Sequence, residues 1–481
     1  MKIVIVGAGW AGCAAAVMAR KAGAEVTILE RTDMILGTGL VGGIMRNNGR
    51  FTAAEEMTAL GAGELFAMCD RHARHTNVMF PGHEHASLYD TRRIHDEVLQ
   101  CLRNQGVTIV FQSRITGARI DAGSIVSIED SGKTVYDADV FIDATGTAGP
   151  VCNCSIHGRG CAMCIIRCPS FGDRVSLVSL TGVREKTYIG AGGRIGAMSG
   201  SCDLLKESLS PSFQEKLNSH GVVIVPVPPE LQENYSTPGG DENEPTLWEQ
   251  LTTLFYCRLR DMGKLGEVVP RLSEIARELI RIRKMRTSFP PTKLSMKVCQ
   301  QYVLPDFLNN IVLLDTGNAK MMAPYYNLEK LSKIPGFEHV KYAAPIGATR
   351  GNSMRFLALS PRDNTLNVRG IRNLFCCGEK VGLVGHTEAI VTGTLAGFNS
   401  VRTAKGKKPI EFPGDLAVGD VIAEVNRELT EQEGLTNTYT FSGAVYFERM
   451  KQLGLYTIDR YRIGHRVKQS GAEGIFQEKN T

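Results

Sequence analysis

The first thirty residues constrain the rest of the chain more than any other stretch. Lys2-Ile3-Val4-Ile5-Val6 is a short β-branched run with the composition of a strand buried on both faces. Gly7-Ala8-Gly9-Trp10-Ala11-Gly12 follows at once, Ala14 to Lys21 reads as a helix stopped by Gly23, and Glu25-Val26-Thr27-Ile28-Leu29 is a second strand closed by Glu30. A glycine triplet alone is a weak signal. Strand, triplet, helix, strand and acid in register form the βαβ fingerprint of a dinucleotide site. Gly7 permits a tight turn, Gly9 lets a pyrophosphate approach the backbone, and Gly12 lets helix and strand pack closely. The helix start offers free amides and a positive dipole end to phosphate. Glu30, eighteen residues beyond Gly12, is placed to accept from a ribose hydroxyl.

A chain of 481 residues has room for two or three domains and a large core. Its composition, 43% hydrophobic and 22% charged, is that of a soluble globular protein. No apolar run reaches membrane-spanning length, and the apolar start is the first strand rather than a signal peptide. The expected location is therefore cytoplasmic, with no membrane partner. A net charge of +5 permits nucleic-acid binding without arguing for it.

Residues 31 to 52 form a polar connection around Gly37-Thr38-Gly39-Leu40-Val41-Gly42-Gly43. It reads either as backbone passing close to a cofactor or as a flexible surface loop. Thr52 to His75 has a helical pattern. His72, His75, His83 and His85 lack a carboxylate or thiol at metal-ligand spacing and read as solvated loop histidines. Thr91 to Gln105 is an amphipathic helix. Val107 to Ile142 alternates with period two, as a β-meander does, and runs into Ala144-Thr145-Gly146. Residues 170 to 270 are mixed, with a Pro- and Gly-rich loop from Pro226 to Pro245, and Asn310 to Asp315 is a buried strand. Ile371 to Cys377 is a further strand, ended by Gly378-Glu379. Gly382, Gly385 and a small-residue helix from Thr387 to Ala404 follow, and the remainder is a polar helical tail. No repeat of solenoid period is present.

These short segments together resemble the flavoproteins that include the tRNA uridine-modifying enzyme MnmG (GidA) and the folate-dependent tRNA methyltransferase TrmFO. Ile334-Pro335-Gly336-Phe337-Glu338, Arg350-Gly351-Asn352-Ser353, Ser360-Pro361, Asn373 to Glu379 and Thr392 to Asn399 are similar to TrmFO in order and spacing. Arg286-Thr287-Ser288-Phe289-Pro290-Pro291 resembles the Lys-Thr-Gly-Thr-Pro-Pro segment of MnmG, and Gly42-Gly43 sits where MnmG has a glycine pair. The resemblance covers residues 1 to 55 well, 90 to 150 and 280 to 405 in part, and 170 to 270 not at all.

The resemblance implies FAD, held at Gly7, Gly9, Gly12 and Glu30, with Gly42-Gly43 beside it. Thr145-Gly146 would return the chain to the first glycine turn, and Gly378-Glu379 would close over the ribityl chain and the flavin's pyrimidine edge. The chain departs from the family in having no cysteine between Cys13 and Cys69, where both relatives carry one, and in lacking most of MnmG's long C-terminal helical domain.

Five of the thirteen cysteines fall in Cys152-x-Cys154-x6-Cys161-x2-Cys164-x3-Cys168-Pro169. Thiolates are the soft ligands of iron–sulfur clusters and zinc. One reading is an iron–sulfur cluster on Cys154, Cys161, Cys164 and Cys168. Another is a redox-active dithiol or nucleophile at Cys161 and Cys164, its thiolate favoured by Arg159 and Arg167. Structural zinc and plain buried thiols complete the alternatives. The remaining cysteines read as small buried hydrophobes. Two basic stretches, Arg277 to Arg286 and Tyr456 to Lys468, either track a phosphate backbone or form solvated faces.

The expected fold is α/β: a Rossmann-like FAD-binding domain of the two-dinucleotide-binding flavoprotein type, with an inserted mixed α/β domain. The expected boundaries are 1–150 with 361–405 for the FAD domain, 151–360 for the insert and 406–481 for the helical tail. The expected activity is FAD-dependent oxidoreduction through flavin N5, with His386 and Glu388 the nearest candidates for acid–base work and capping or packing their competing role. Three function classes compete. One acts on RNA uridine as MnmG does. One is an iron–sulfur flavoprotein passing electrons between a small-molecule substrate and an electron-carrier protein. One is a non-enzymatic flavin-dependent sensor or binding module. NAD(P)H is the candidate electron donor and a homodimer the candidate assembly.

Overall fold

A computed structural model of the chain describes residues 1–146, 175–188, 197–199, 201–231, 305–322, 328–343, 353–355, 357–432 and 434–477. The opening run is β1 (Lys2–Val6), the central strand of a five-stranded parallel sheet. After α1 (Trp10–Lys21), β2 (Glu25–Leu29) pairs with β1 on one side. The same connection then continues through α2 (Gly39–Gly42), β3 (Ile44–Met45), α3 (Gly49–Ala59), α4 (Glu64–Arg71), β4 (Ala73–Phe80), β5 (His83–Tyr89) and α5 (Ile94–Asn104). β6 (Thr108–Val110) extends the parallel sheet beyond β2. β7 (Ile115–Asp121), β8 (Ser124–Asp130) and β9 (Val135–Tyr136) make a separate antiparallel sheet, and β10 (Val140–Asp143) returns to pair with β1. Strand Leu374–Cys376 completes the parallel sheet beside β10. The near-continuous apolar character of β1 follows from cover on both faces: Ile3, Val4, Ile5 and Val6 are all buried.

Two element assignments differ from the sequence reading, each for a local reason. The helix expected over Thr52–His75 is two helices, because Gly61 adopts φ +94, a left-handed conformation that ends α3. The meander expected from Val107 includes only β7 to β9. Its first segment, β6, is a parallel edge strand of the main sheet, which period-two alternation cannot distinguish.

A second, antiparallel sheet has the strand order Ser201–Leu204, Asn318–Met322, Asn310–Thr316, Val222–Pro226. Its two faces alternate as strand geometry requires. Ile311, Leu313, Ala319 and Met321 face a core shared with Leu217 of helix Pro211–His220 and with Phe337. Val312, Leu314 and Met322 face the hairpin β4–β5, where they join Ile44, Val78, Phe80 and Leu88.

The helix His386–Ala404 lies against α1 with almost no side chain between them. A Cβ on Gly393 would overlap the Ala11 carbonyl, and one on Gly397 the Ala15 carbonyl. The C-terminal helices Ala417–Glu431, Ala444–Gln452 and Arg460–Gln469 bury Val421, Ile422, Val425, Tyr446 and Val467 in the same core as β1. No helix among the described residues is long and apolar enough to cross a membrane.

Candidate functional site

The three fingerprint glycines occupy the positions their spacing predicts. Gly7 has φ +102, and a Cβ there would stand 2.6 Å from the Ala144 carbonyl oxygen. Gly12 touches the Gly7 carbonyl, so any side chain would separate helix from turn. Gly9 is the N-cap of α1, and a Cβ there would meet nothing within 4 Å. Open space before an N-terminal turn that carries no acidic residue fits a pyrophosphate. Glu30 is buried. Its Oε2 accepts from the Ala8 amide at 2.8 Å, and its Oε1 accepts from the Thr32 amide and hydroxyl, each at 2.9 Å. The carboxylate therefore also fixes the glycine turn itself.

The distant ends of the chain meet here. Ala144 and Thr145 border Gly7, and a Cβ on Gly378 would stand 3.0 Å from Ala11 Cβ, at the start of α1. Gly146 and Glu379 face each other across this strand end. Behind it, Lys380 is fully buried and donates to Ser176 Oγ at 2.6 Å and Glu185 Oε1 at 2.8 Å, with Asp143 Oδ2 at 4.0 Å. The sequence reading did not single out this buried cation.

Gly42, Gly43 and His386 form a second group, joined to the first through two residues the sequence reading missed. Trp10, inside the glycine fingerprint, donates its indole N–H to the Tyr89 hydroxyl at 3.2 Å. Tyr89 donates to the Gly39 carbonyl at 2.6 Å, and His386 Nδ1 lies 3.1 Å from the same hydroxyl. With the hydroxyl proton directed at Gly39, His386 Nδ1 is the donor. The ring lies directly on Gly42, where a Cβ would overlap it. Gly43 has φ +72 and packs on Thr316 of the second sheet.

The segment 36–43 is built into the structure, which decides against a flexible loop. Leu36, at a left-handed φ of +70, donates its amide to Ala8 O at 2.6 Å. Tyr89 also donates its amide to Gly43 O, and Lys320 Nζ donates to Val41 O at 2.9 Å. Arg46 and Asn48 also hold left-handed φ values of +60 and +51, so three strained non-glycine positions bracket the segment. Lys320 lies opposite Asp203 in the second sheet. Burial raises the Asp203 carboxyl to about 6 against the pull of Lys320, and its Oδ1 has no hydrogen-bond partner. No local sequence signal marks either residue.

Glu388, the other acid–base candidate, is fully buried and engaged. It accepts from Arg50 Nε at 3.0 Å on both oxygens, from the Thr440 hydroxyl at 2.6 Å and from the Phe441 amide at 2.8 Å. That is a fastening of the C-terminal segment, the packing role weighed against catalysis. The four histidines lie along the β4–β5 hairpin and its approach rather than in solvated loops. His83 is buried beside Asn47, His75 pairs with buried Asp315 at 2.9 Å, and His72 lies 3.3 Å from Glu97. Cys13, Cys69, Cys376 and Cys377 are buried thiols, and burial pushes Cys376 up to about 12. Among the described residues no three His, Cys, Asp or Glu side chains are grouped to hold a metal. Cys154, Cys161, Cys164 and Cys168, the basic stretch Arg277 to Arg286 and the Pro290-Pro291 segment lie outside the described residues.

Comparison with known proteins places this geometry. The family model "Glucose inhibited division protein A" matches residues 2–229 and 310–408. The tRNA uridine 5-carboxymethylaminomethyl modification enzyme MnmG of Alkaliphilus metalliredigens is 22% identical over 417 residues, 85% of this chain and 62% of that protein. The methylenetetrahydrofolate–tRNA-(uracil-5-)-methyltransferase TrmFO of Lysinibacillus sphaericus is 34% identical over 96 residues, 19% of this chain and 21% of that protein. The chain thus spans less than two thirds of either relative. Among solved structures, Aquifex aeolicus GidA in its form II crystal superposes with a TM-score of 0.58 at 19% identity, covering 98% of this chain and 73% of GidA. At that identity the likeness speaks for the fold alone.

Proposed function

The chain belongs to the glucose inhibited division protein A family, and on that premise we propose that it is an FAD-dependent enzyme acting on a uridine of RNA. The observation that carries the cofactor assignment is the open space in front of Gly9, bounded by the Gly7 turn, the Ala144–Gly146 strand end and Gly378. Bound there, FAD would supply hydride transfer through N5. The α1 amides and dipole hold the diphosphate. Glu30, still with lone pairs to offer, accepts from the ribose. Trp10, Tyr89 and Lys320 hold the carbonyls and rings of the 36–43 segment and His386 in one arrangement. His386, packed on Gly42 beside this segment, is the candidate group for a proton transfer. The uridine assignment rests on the printed activities of the MnmG and TrmFO relatives and on their shared target base. We further take 1–150 with 361–405 as the FAD domain, 151–360 as the insert and 406–481 as the tail.

The test is Gly9→Val. A Cβ there meets no protein atom within 4 Å and the branched side chain extends into the space assigned to the pyrophosphate, so the variant should fold and purify with less than about a tenth of the wild-type flavin. An unchanged flavin stoichiometry would refute the site. The substrate is tested by incubating reduced holoenzyme with unmodified tRNA and analysing its nucleosides by mass spectrometry. Loss of a uridine in favour of a heavier nucleoside supports the reading, and an unchanged uridine pool under all one-carbon donors counts against it.

A further inference from the structure

We propose that the exposed face of helix Arg460–Gln469, continued by Phe51 and His85, is a docking track for a single strand of RNA. The proposal rests on the reading of RNA as substrate and names the surface that would receive it. The helix carries Arg460, Arg462, Arg466 and Lys468 and no acidic residue. Its faces divide the labour. Ile463 and Val467 are buried, and Arg466 donates to buried Glu56 at 2.9 Å and to the Leu455 carbonyl at 2.8 Å. Arg460, Tyr461, Arg462, His465 and Lys468 face outward.

Tyr461 is 81% exposed, the most exposed large ring or apolar side chain among the described residues. Its ring stacks on His465, with centroids 6.3 Å apart and planes 26° from parallel. Arg460 lies 5.6 Å over the Phe51 ring and 3.3 Å from Glu55, and Phe51 meets His85 edge-on at 6.5 Å. The result is a row of His465, Tyr461, Arg460, Phe51 and His85, flanked by Arg462 and Lys468. Rings that stack on bases, interleaved with cations that track phosphates, are what a single strand requires. Within the row, Phe51 lies in the first turn of α3, next to Asn47, Asn48 and Arg50. Arg50 donates to Glu388, which lies two residues beyond His386 on the same helix. A strand lying along the row is led towards the candidate site.

A membrane surface fits less well. A helix that lies in a lipid interface presents its apolar residues outward, whereas Ile463 and Val467 point into the protein and the outward face is charged.

The test uses full-length flavin-loaded protein and a fluorescein-labelled oligouridylate, read by anisotropy over a range of salt. Wild type should bind with a salt-dependent affinity. Tyr461→Ala should weaken binding about tenfold or more, and Arg462→Gln should lower the slope of log affinity against log salt by about 0.7. Both should leave flavin content and the unfolding midpoint unchanged, since neither side chain bonds to the core. If wild type binds and both variants bind equally well, the track is wrong while the RNA reading stands. If wild type binds neither the oligouridylate nor tRNA, both fall. If phosphatidylserine vesicles bind the wild type and Tyr461→Ala abolishes only that, the surface belongs to a membrane and the proposal is overturned.

Discussion

Between α1 and the helix His386–Ala404, backbone meets backbone: Gly393 and Gly397 press against the carbonyls of Ala11 and Ala15. Between the β4–β5 hairpin and the second sheet, the contact carries buried charge instead. Asp315, fully buried, accepts from Arg74 at 3.0 Å, His75 at 2.9 Å and Lys206 at 3.1 Å. The first seam supports the glycine turn that the proposed FAD site needs, and it tolerates no added atom. The second joins two sheets through an apolar layer that also carries buried ion pairs, whose mutual attraction must offset the cost of removing them from water. A close-packed seam is rigid because displacement means overlap. A charged seam is specific because only the matching partners satisfy it.

The largest effect is expected from the first seam. Gly397→Val places branched carbons into the Ala15 backbone, which cannot retreat without moving α1 off the sheet. No soluble folded protein should be recovered, against a cost of at least ~3 kcal/mol for overpacking of this kind. A soluble variant with wild-type flavin content would show that the helices are free to separate.

The second seam should lose less and in a pH-dependent way. Burial alone would raise the Asp315 carboxyl. The hydrogen bond from His75 and the cations Lys206 and Arg74 outweigh it and hold that carboxyl well below the usual range. Asp315→Asn leaves those cations without their counter-charge and should cost about 3 to 5 kcal/mol near neutral pH, read from the urea midpoint. A group depressed in the folded state stabilises it above the ordinary carboxylate range, and the benefit is lost as pH falls below about 4. The gap between wild type and variant should therefore narrow towards pH 3. A gap that stays constant with pH would show that charge is not what the seam relies on.

What could be read in advance follows the same division. Gly7, Gly9, Gly12 and Glu30 are contiguous or nearly so, and each has a task that local geometry alone dictates, so their positions in the fold follow from the sequence. The small residues of His386–Ala404 announce close packing but not against what. Trp10, Tyr89 and His386 lie far apart in the chain and meet only because β5 and that helix are brought to one side of the glycine turn. Lys320 reaches Val41 from a sheet for which residues 170 to 270 offered no pattern to read. Glu388 was visible as an acid near the site, but its partners Arg50 and Thr440 come from the two ends of the chain, so its fastening role was not. His75 and His83 lie among polar neighbours in sequence and so look solvated, but the second sheet pairs His75 and the Asn47 segment buries His83.

The smallest effect sharpens the contrast within the charged seam, because His83 is a titratable group that the hairpin holds neutral. Asn47 Oδ1 accepts from Arg50 at 3.1 Å, which turns its Nδ2 towards His83 Nδ1 at 2.7 Å. His83 Nδ1 must therefore accept, and its proton sits on Nε2. Protonating Nδ1 would set donor against donor in a buried site, with the Phe80 ring at 4.5 Å on one side. Burial, reinforced by the Arg50 charge, lowers the imidazole to about 3. In the unfolded chain the same group titrates near 6.5, so between those values the unfolded state binds a proton that the folded state refuses. The stability this group confers is complete above pH 7 and falls as pH drops, by about 2 kcal/mol at pH 5. His83→Gln, whose side-chain oxygen can still accept from Asn47, should flatten that part of the stability curve while leaving the loss below about pH 4, assigned to Asp315, in place. Urea midpoints for both proteins from pH 7.5 to pH 4.5 measure the difference directly. Parallel curves would mean that His83 takes up its proton in the folded protein, and the hydrogen-bond assignment around Asn47 would have to be reversed.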